Sequence, residues 1–144
     1  MLKDKVFLTN TDTTIGFISQ NSSKLNSIKK RPPHKRYIKA INSLHTLKQH
    51  TRVPSKYKKL VRRANKTTFI LPNGNSYRLI KDKKHLLLLD RLKWAYTTSA
   101  NLSNYNYDEE FAKSSADIII YPLNYTDRVS TIYKINSKKL KRIR

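Results

Sequence analysis

The sequence feature that most constrains the fold is a hairpin signal near the middle of the chain. Two β-favouring runs, residues 67–71 and 76–80, flank the segment Pro72-Asn73-Gly74-Asn75. Asn-Gly adopts the positive φ angles of tight hairpin turns, so we expect the two runs to pair as antiparallel strands. The chain therefore contains a β-sheet, and its other segments have to pack against it.

The remaining segments alternate between strand-like and helix-like patterns. Short β-favouring runs occur at residues 6–8, 37–41, 94–98, 118–120 and 129–133. Helices are expected from Ser22 or Ser23 to Lys30, after the cap Ser43, from Pro54 to Arg63, at 83–93 and at 108–114. This alternation predicts an α/β domain with a twisted, mixed sheet and flanking helices.

The apolar residues of two helical segments predict which faces are buried. The expected inward residues are Leu86, Leu87, Leu89 and Leu92 in the helix at 83–93, and Tyr57, Leu60 and Val61 in the helix after Pro54. Residues 136–144 form a basic tail, which we expect to be frayed.

Composition predicts one domain, spanning residues 1–144, with a strong positive charge. Lys and Arg number 31 against 9 Asp and Glu, a formal net charge of +22. Such a charge attracts nucleotides, RNA or an anionic membrane surface. A biased genome composition produces the same excess of lysine, so the charge alone does not identify a partner.

The sequence also excludes several kinds of site. Cysteine is absent, which rules out disulfides, thiolate zinc sites and cysteine nucleophiles. The four histidines show no metal-ligand spacing, and the only glycines, Gly16 and Gly74, form no phosphate-binding glycine loop. No apolar run approaches the length of a membrane span or a signal-peptide core, so we expect a soluble, cytoplasmic protein with no membrane partner.

Three polar or basic segments carry the candidate chemistry. In residues 96–103, Ser99 and Asn101 would point to one face of an extended backbone. Residues 28–35 place cations around a proline turn, a cluster suited to phosphate or carboxylate, and residues 10–16 are rich in threonine. Taken one at a time, these segments have simpler structural interpretations. A segment like 96–103 is more often a turn, one like 28–35 a solvated charged face, and one like 10–16 the exit of a strand.

Together, the first two segments resemble the YrdC-like threonylcarbamoyl-adenylate synthase family. Residues 97–104 are similar to its Ser-Thr-Ser-Ala-Asn-Leu-Ser-Gly signature, with Thr97 and Asn104 as the changes. Lys29 and Arg31 match its Lys-x-Arg-Pro element, with Lys35 at the downstream basic position.

The third segment and three weaker similarities extend the resemblance over residues 6–132. Residues 10–16 resemble Pro-Thr-Asp/Glu-Thr-x-Tyr-Gly, with Thr11, Asp12, Thr13 and Gly16 retained but neither the proline nor the aromatic residue. Thr68 resembles the threonine of Pro-Gly-Pro-x-Thr, Arg78 the arginine of Val-Arg-Val/Ile, and Ser130 the serine of Pro-Ser-Thr-Val. Compared with the family, the chain is short and lacks the usual N-terminal helix.

The resemblance implies a YrdC-like single domain with a concave basic face, and a nucleotidyltransferase. Such an enzyme joins L-threonine, bicarbonate and ATP into threonylcarbamoyl-AMP with release of pyrophosphate, and other tRNA threonylcarbamoylation proteins use the product. Mg²⁺ would be carried by ATP, with no metal held by protein side chains. The implied catalytic residues are Lys29, Arg31, Ser99 and Asn101, and the implied substrate or ATP contacts are Thr11, Thr13, Lys35, Thr68, Arg78, Thr98 and Ser130.

A second interpretation is a non-catalytic YrdC-like module that binds tRNA or another structured, double-stranded RNA. The net charge and the missing family residues favour it, whereas the complete Lys-x-Arg and Ser-x-Asn set opposes it. The candidate RNA contacts are Lys56, Lys58, Lys59, Arg62 and Arg63. A third, less specific interpretation is a small basic protein that binds nucleic acid through Lys and Arg alone.

Overall fold

The computed structural model describes residues 2–126 and 128–144, which form one mixed α/β domain. Across these residues nine strands pair in the order β7-β1-β2-β6-β3-β5-β4-β8-β9. The strands are β1 (Phe7–Asn10), β2 (Ile15–Ser19), β3 (Ile38–Ile41), β4 (Thr67–Ile70), β5 (Ser76–Leu79), β6 (Trp94–Ser99), β7 (Ile118–Ile119), β8 (Thr131–Ile135) and β9 (Leu140–Arg142). The α-helices are α1 (Ser22–Lys29), α2 (Leu44–His50), α3 (Lys58–Arg63), α4 (Lys83–Leu92) and α5 (Glu109–Ser115).

The predicted hairpin is confirmed as the antiparallel pair β4–β5. Gly74 has a φ of +84° and donates its N–H to the Leu71 carbonyl at 2.8 Å, which closes the turn. The pairs β1–β7, β3–β5 and β4–β8 are parallel and the others antiparallel, so the sheet is mixed, as the alternation of elements predicts.

The two faces of the sheet are covered differently. On one face, Leu88, Leu89 and Leu92 of α4 pack against residues such as Ala40 and Ala95. On the other face, one core cluster lies against α2 and α3, and a second lies against α1 and α5. Neighbouring residues of β3 and β6 point to opposite faces, so each strand contributes to both layers.

Two strands were not expected from the sequence. All five residues of β2 are buried, and the strand lies between β1 and β6. The tail expected to be frayed instead forms β9 on the sheet edge, antiparallel to β8. Asn136 Oδ1 accepts the backbone N–H groups of Lys138 and Lys139, and this turn returns the chain to the sheet.

Several local predictions were wrong in detail. Leu87 is 73% exposed and Leu60 is 38% exposed, so neither belongs to the buried stripe predicted for its helix. Asn21, rather than Ser22 or Ser23, caps α1 by accepting the Lys24 N–H. The cap of α2 is Ser43, as predicted.

Within the described residues no helix is long and apolar enough to cross a membrane.

Candidate active site

A cavity of about 340 Å³ opens where the loop after β1, the segment before β3 and the end of β6 meet. Its described lining includes five arginines and no carboxylate side chain; the arginines are Arg31, Arg36, Arg78, Arg128 and Arg144. Threonine and serine hydroxyls fill much of the remaining wall. The arrangement suits a polyanion that needs several hydrogen bonds.

Lys29, the last residue of α1, joins the two signature segments. Its ammonium donates to the Ser99 carbonyl at 2.7 Å and to Asn101 Oδ1 at 3.5 Å, across about 70 residues of sequence. The Ser99 hydroxyl donates to the same Asn101 oxygen, while Asn101 Nδ2 donates to the carbonyls of Leu102 and Tyr105. Lys29 thus fixes the backbone that carries Ser99 and Asn101.

Lys29 is only 3% exposed, which perturbs its ionisation. Burial, with the nearby Arg31 charge as a second cause, lowers the pKa of Lys29 from 10.5 to about 8. Removing an ammonium from water disfavours its charged form, and a second cation adds repulsion. A bound anion beside Lys29 and Arg31 would offset both effects.

Arg31 is held beside the cavity by an aromatic ring and a backbone carbonyl. Its guanidinium carbon lies 4.6 Å from the centre of the Tyr37 ring, and one nitrogen donates to the Arg36 carbonyl at 3.1 Å. A guanidinium that lies over an aromatic face can still use its outward N–H groups for bidentate contacts. Arg31 can therefore present its N–H groups to an oxyanion in the cavity.

Arg78 lies deeper and is paired with a carboxylate. Arg78 Nη1 is 2.9 Å from Asp12 Oδ1, and the two side chains are 8% and 3% exposed. The same guanidinium donates to the hydroxyls of Thr13 and Thr68, and the Thr68 hydroxyl shares a 2.8 Å hydrogen bond with that of Ser130. This network holds Arg78 in one position and cancels much of its charge.

Two further features shape the wall of the cavity. Arg144 donates from Nε and Nη2 to the carbonyl and hydroxyl of Ser130 at 3.0 and 3.3 Å, so β9 brings a cation from the end of the chain to the site. A Cβ on Gly16 would lie 2.9 Å from both Thr11 Cγ2 and the Thr98 carbonyl oxygen. At this position β2 thus needs a glycine, because the loop after β1 and strand β6 both lie close to it.

The structure distributes the residues named from the sequence over five places. The cavity wall contains Arg31, Ser99, Thr11, Thr13, Arg78, Thr98 and Ser130. Lys29 and Thr68 lie beneath it, Asn101 lines a smaller adjoining cavity, and exposed Lys35 lines a separate groove. The basic residues of the α3 region, Lys56, Lys58, Lys59, Arg62 and Arg63, do not line the cavity.

Three arginines of the cavity and the carboxylate that pairs with Arg78 were not named as site residues from the sequence. Arg36, Arg128 and Arg144 lie outside the family signatures, and nothing local marks them among so many basic residues. Asp12 belongs to the threonine-rich signature, but only the ion pair with Arg78 gives it a role. The sequence signal that could have drawn attention to Asp12 is the scarcity of acidic residues, which number 9 against 31 Lys and Arg.

Comparison with solved structures identifies the fold. The chain superposes on Pyrococcus abyssi Sua5, solved as a complex with L-threonine, with a TM-score of 0.83 over 97% of this chain and 50% of that one, at 18% identity. For Escherichia coli YciO the TM-score is 0.77 over 99% and 83% of the two chains, at 17% identity. The chain has a YrdC-like fold. The α/β class predicted from the sequence is thus confirmed.

The YrdC-like fold also occurs in a larger protein, HypF, solved in a phosphate- and nucleotide-bound form. That match has a TM-score of 0.73 over 97% of this chain and 26% of HypF, at 16% identity. In sequence, the chain is 30% identical over 143 residues to the uncharacterized MG259 homolog of Mycoplasma pneumoniae, covering 92% of this chain and 30% of that protein. MG259 of Mycoplasma genitalium is 30% identical over 94% of this chain and 31% of its own length. The chain thus spans about a third of these relatives, and no family model matches it.

Proposed function

We propose that this chain is an L-threonylcarbamoyladenylate synthase. The observation that carries the proposal is the cavity in which five arginines and a wall of hydroxyls lie beside the Lys29–Ser99–Asn101 network. ATP brings three phosphates, and threonine with bicarbonate brings two carboxylate-like groups. Because the oxygens of these groups accept hydrogen bonds, the protein site needs many donors and few acceptors. Sua5 and HypF both contain this fold, and they were solved with L-threonine and with nucleotide, respectively, which supports the same choice of reactants.

The reaction requires two steps. The threonine amine adds to CO₂ derived from bicarbonate and loses a proton, which gives a carbamate. A carbamate oxygen then attacks the α-phosphorus of ATP, a new P–O bond forms, and the bond to pyrophosphate breaks. Such a transfer depends on alignment and charge neutralisation more than on a protein nucleophile.

The residues have distinct roles in this proposal. Arg31 would hold phosphate or carbamate oxygens with the free edge of its guanidinium, and the Ser99 hydroxyl would orient them. Lys29 would position Ser99 and Asn101 and supply positive charge from beneath. Thr11 and Thr13 would line the amino-acid end, and Arg78, held by Asp12, would contact the nucleotide. Mg²⁺ would arrive on the triphosphate, and among the described residues no cluster of three acidic or histidine side chains could hold a metal.

The decisive experiment is pyrophosphate release from ATP. We expect release only when both threonine and bicarbonate are present, and a decrease of about 10- to 150-fold in kcat/KM for Arg31→Ala, since a charge-assisted hydrogen bond contributes about 1.5–3 kcal/mol. Arg31→Lys should recover little, because an ammonium cannot make the bidentate contact. Lys84→Ala, an exposed position on α4, is the matched control. ATP binding without threonine-dependent release would contradict the proposal.

The alternative function is binding of tRNA or another structured RNA without catalysis. The observation that favours it is the α3 surface, defined by Lys56, Lys58, Lys59, Arg62 and Arg63, none of which forms an ion pair with a described carboxylate. Unpaired cations on one surface are available to a phosphate backbone. As an enzyme, the chain could use the same surface to meet tRNA and the proteins that consume its product.

A further inference from the structure

A row of aromatic side chains crosses the face of the sheet opposite α4. Lys39 on β3 lies directly across from Tyr96 on β6, and Trp94 lies two residues earlier on β6, so the three side chains share one face. Tyr37, just before β3, and His50, the last residue of α2, extend the row at its two ends. We call these five residues the aromatic seam.

The contacts along the aromatic seam are continuous. Ring centres lie 5.5 Å apart for His50 and Trp94, 5.2 Å for Trp94 and Tyr96, and 6.2 Å for Tyr96 and Tyr37. Lys39 Nζ lies 4.6 Å from the centre of the Trp94 ring and 5.6 Å from that of Tyr96. Cations over aromatic faces are thus a feature of this surface.

The aromatic seam lies between the two core clusters of this face. Trp94 packs at the edge of the cluster under α2 and α3, and Tyr96 packs at the edge of the cluster under α1 and α5. Neither ring is fully buried, and Lys39 is only half-buried. An adjacent groove of about 260 Å³ is lined by Tyr37, Lys39, Tyr96, Lys35 and Arg36, and no carboxylate occurs in its described lining.

We propose that the aromatic seam and its groove bind a single-stranded polynucleotide. Surfaces that bind single strands combine aromatic rings on which bases stack with cations that follow the phosphate backbone, and both occur here. A base that stacks on Trp94 or Tyr96 takes the place of the Lys39 ammonium, which then moves to a phosphate. An acidic peptide would use the cations but leave the rings without a role. A duplex has no unstacked bases to offer them.

The proposal is independent of the function proposed for the cavity. By strand alternation, Thr97 and Arg78 of the cavity lie on the α4 face, whereas Lys39, Trp94 and Tyr96 lie on the other. Arg36 and Tyr37 line both the cavity and the groove, so the two regions adjoin at that point. A chain without synthase activity could still bind a polynucleotide at the aromatic seam, and a chain that binds none there could still be a synthase.

Trp94 is the only tryptophan in the chain, so its fluorescence reports directly on this surface. We expect a short uridine oligomer to quench Trp94 emission in a saturable titration. Tyr96→Leu, which keeps apolar volume but removes a stacking ring, should weaken the affinity by about 5- to 150-fold. Lys39→Gln, which keeps most of the stem over the rings, should lower the log–log salt slope by about 0.7, the value for one phosphate of a single strand.

Control variants and competing ligands make the test decisive. Lys84→Gln, an equal change of charge on α4, should leave the quenching curve unchanged. Thermal unfolding of each variant verifies that it is folded. Oligomer binding without quenching of Trp94, quenching that Tyr96→Leu and Lys39→Gln leave unchanged, or equal quenching by an RNA duplex or by polyglutamate would overturn the proposal.

Discussion

Lys29 is the residue on which the local structure of the site depends. It ends α1, and the next residue, Lys30, has a φ of +51°, which turns the backbone away from the helix. The Lys29 ammonium then donates hydrogen bonds to the Ser99 carbonyl and to Asn101 Oδ1, on the far side of the site. Burial of that cation costs free energy, which its two hydrogen bonds offset in part.

The lowered pKa of Lys29 predicts a specific dependence of stability on pH. The pKa is about 8 when the chain is folded, against an ordinary value of 10.5, so the unfolded chain binds more protons between these two values. The contribution of Lys29 to stability therefore rises with pH across that window. Between about pH 7 and about pH 9.5, the unfolding free energy of the wild type should rise by about 2 kcal/mol relative to Lys29→Met.

Urea titrations at the two pH values measure this difference. Lys84→Met serves as the control, because Lys84 is exposed and its replacement should shift both values equally. If the unfolding free energies of the wild type and Lys29→Met changed with pH in parallel, burial would not lower the pKa of Lys29.

Among the helices, α4 shows how the sheet selects one face of an apolar segment. Asp82 caps it by accepting the N–H groups of Lys84 and His85. Four consecutive leucines follow, which together cover most of the helix circumference. Leu88 and Leu89 contact the sheet, whereas Leu87 points to solvent.

This arrangement predicts opposite outcomes for two leucines of α4. Leu89 is fully buried, so Leu89→Ala should lower the unfolding free energy by about 2–5 kcal/mol. Leu87 is 73% exposed, so Leu87→Ala should change it by less than about 0.5 kcal/mol. Urea unfolding of the two variants, which carry the same chemical change, makes the comparison. An equal decrease of stability in both would mean that α4 packs in a different rotation.

At the scale of the whole molecule, the net charge of +22 is distributed over several surfaces. Two of the cavity arginines, Arg78 and Arg144, are positioned by hydrogen bonds to distant parts of the chain. Most cations of the α3 surface are exposed and available to a polyanion. Affinity for RNA should therefore depend on which surface is changed, and its dependence on salt should count the phosphates bound.

A salt titration of tRNA binding tests the α3 surface. Replacement of Lys58, Lys59 and Arg62 by alanine should lower the log–log salt slope by about 1 for each phosphate that the variant no longer binds. The matched control replaces Lys83, Lys84 and Arg91, three exposed cations of α4, and removes the same charge. An equal change of slope in the two triple variants would show that only the total charge matters, and an unchanged slope in the first would show that α3 does not touch the RNA.

The sequence by itself determined the features that depend on neighbouring residues. The Asn-Gly turn, the Ser43 cap and most strand and helix positions are local, since each follows from dihedral preferences or hydrogen bonds within a few residues. The signature segments were also recognisable, because Lys29, Arg31, Ser99 and Asn101 stand in short runs of matching residues.

Only the tertiary structure decided which distant residues meet. It paired β2 and β9 into the sheet, selected the buried face of α4, and brought Arg36, Arg128 and Arg144 to the cavity. It also joined Asp12 to Arg78 and aligned the aromatic seam across β3 and β6. These interactions join residues far apart in the chain. Their free energy comes from burial and strand pairing, which exist only when distant segments come together, so no short stretch of sequence reveals them.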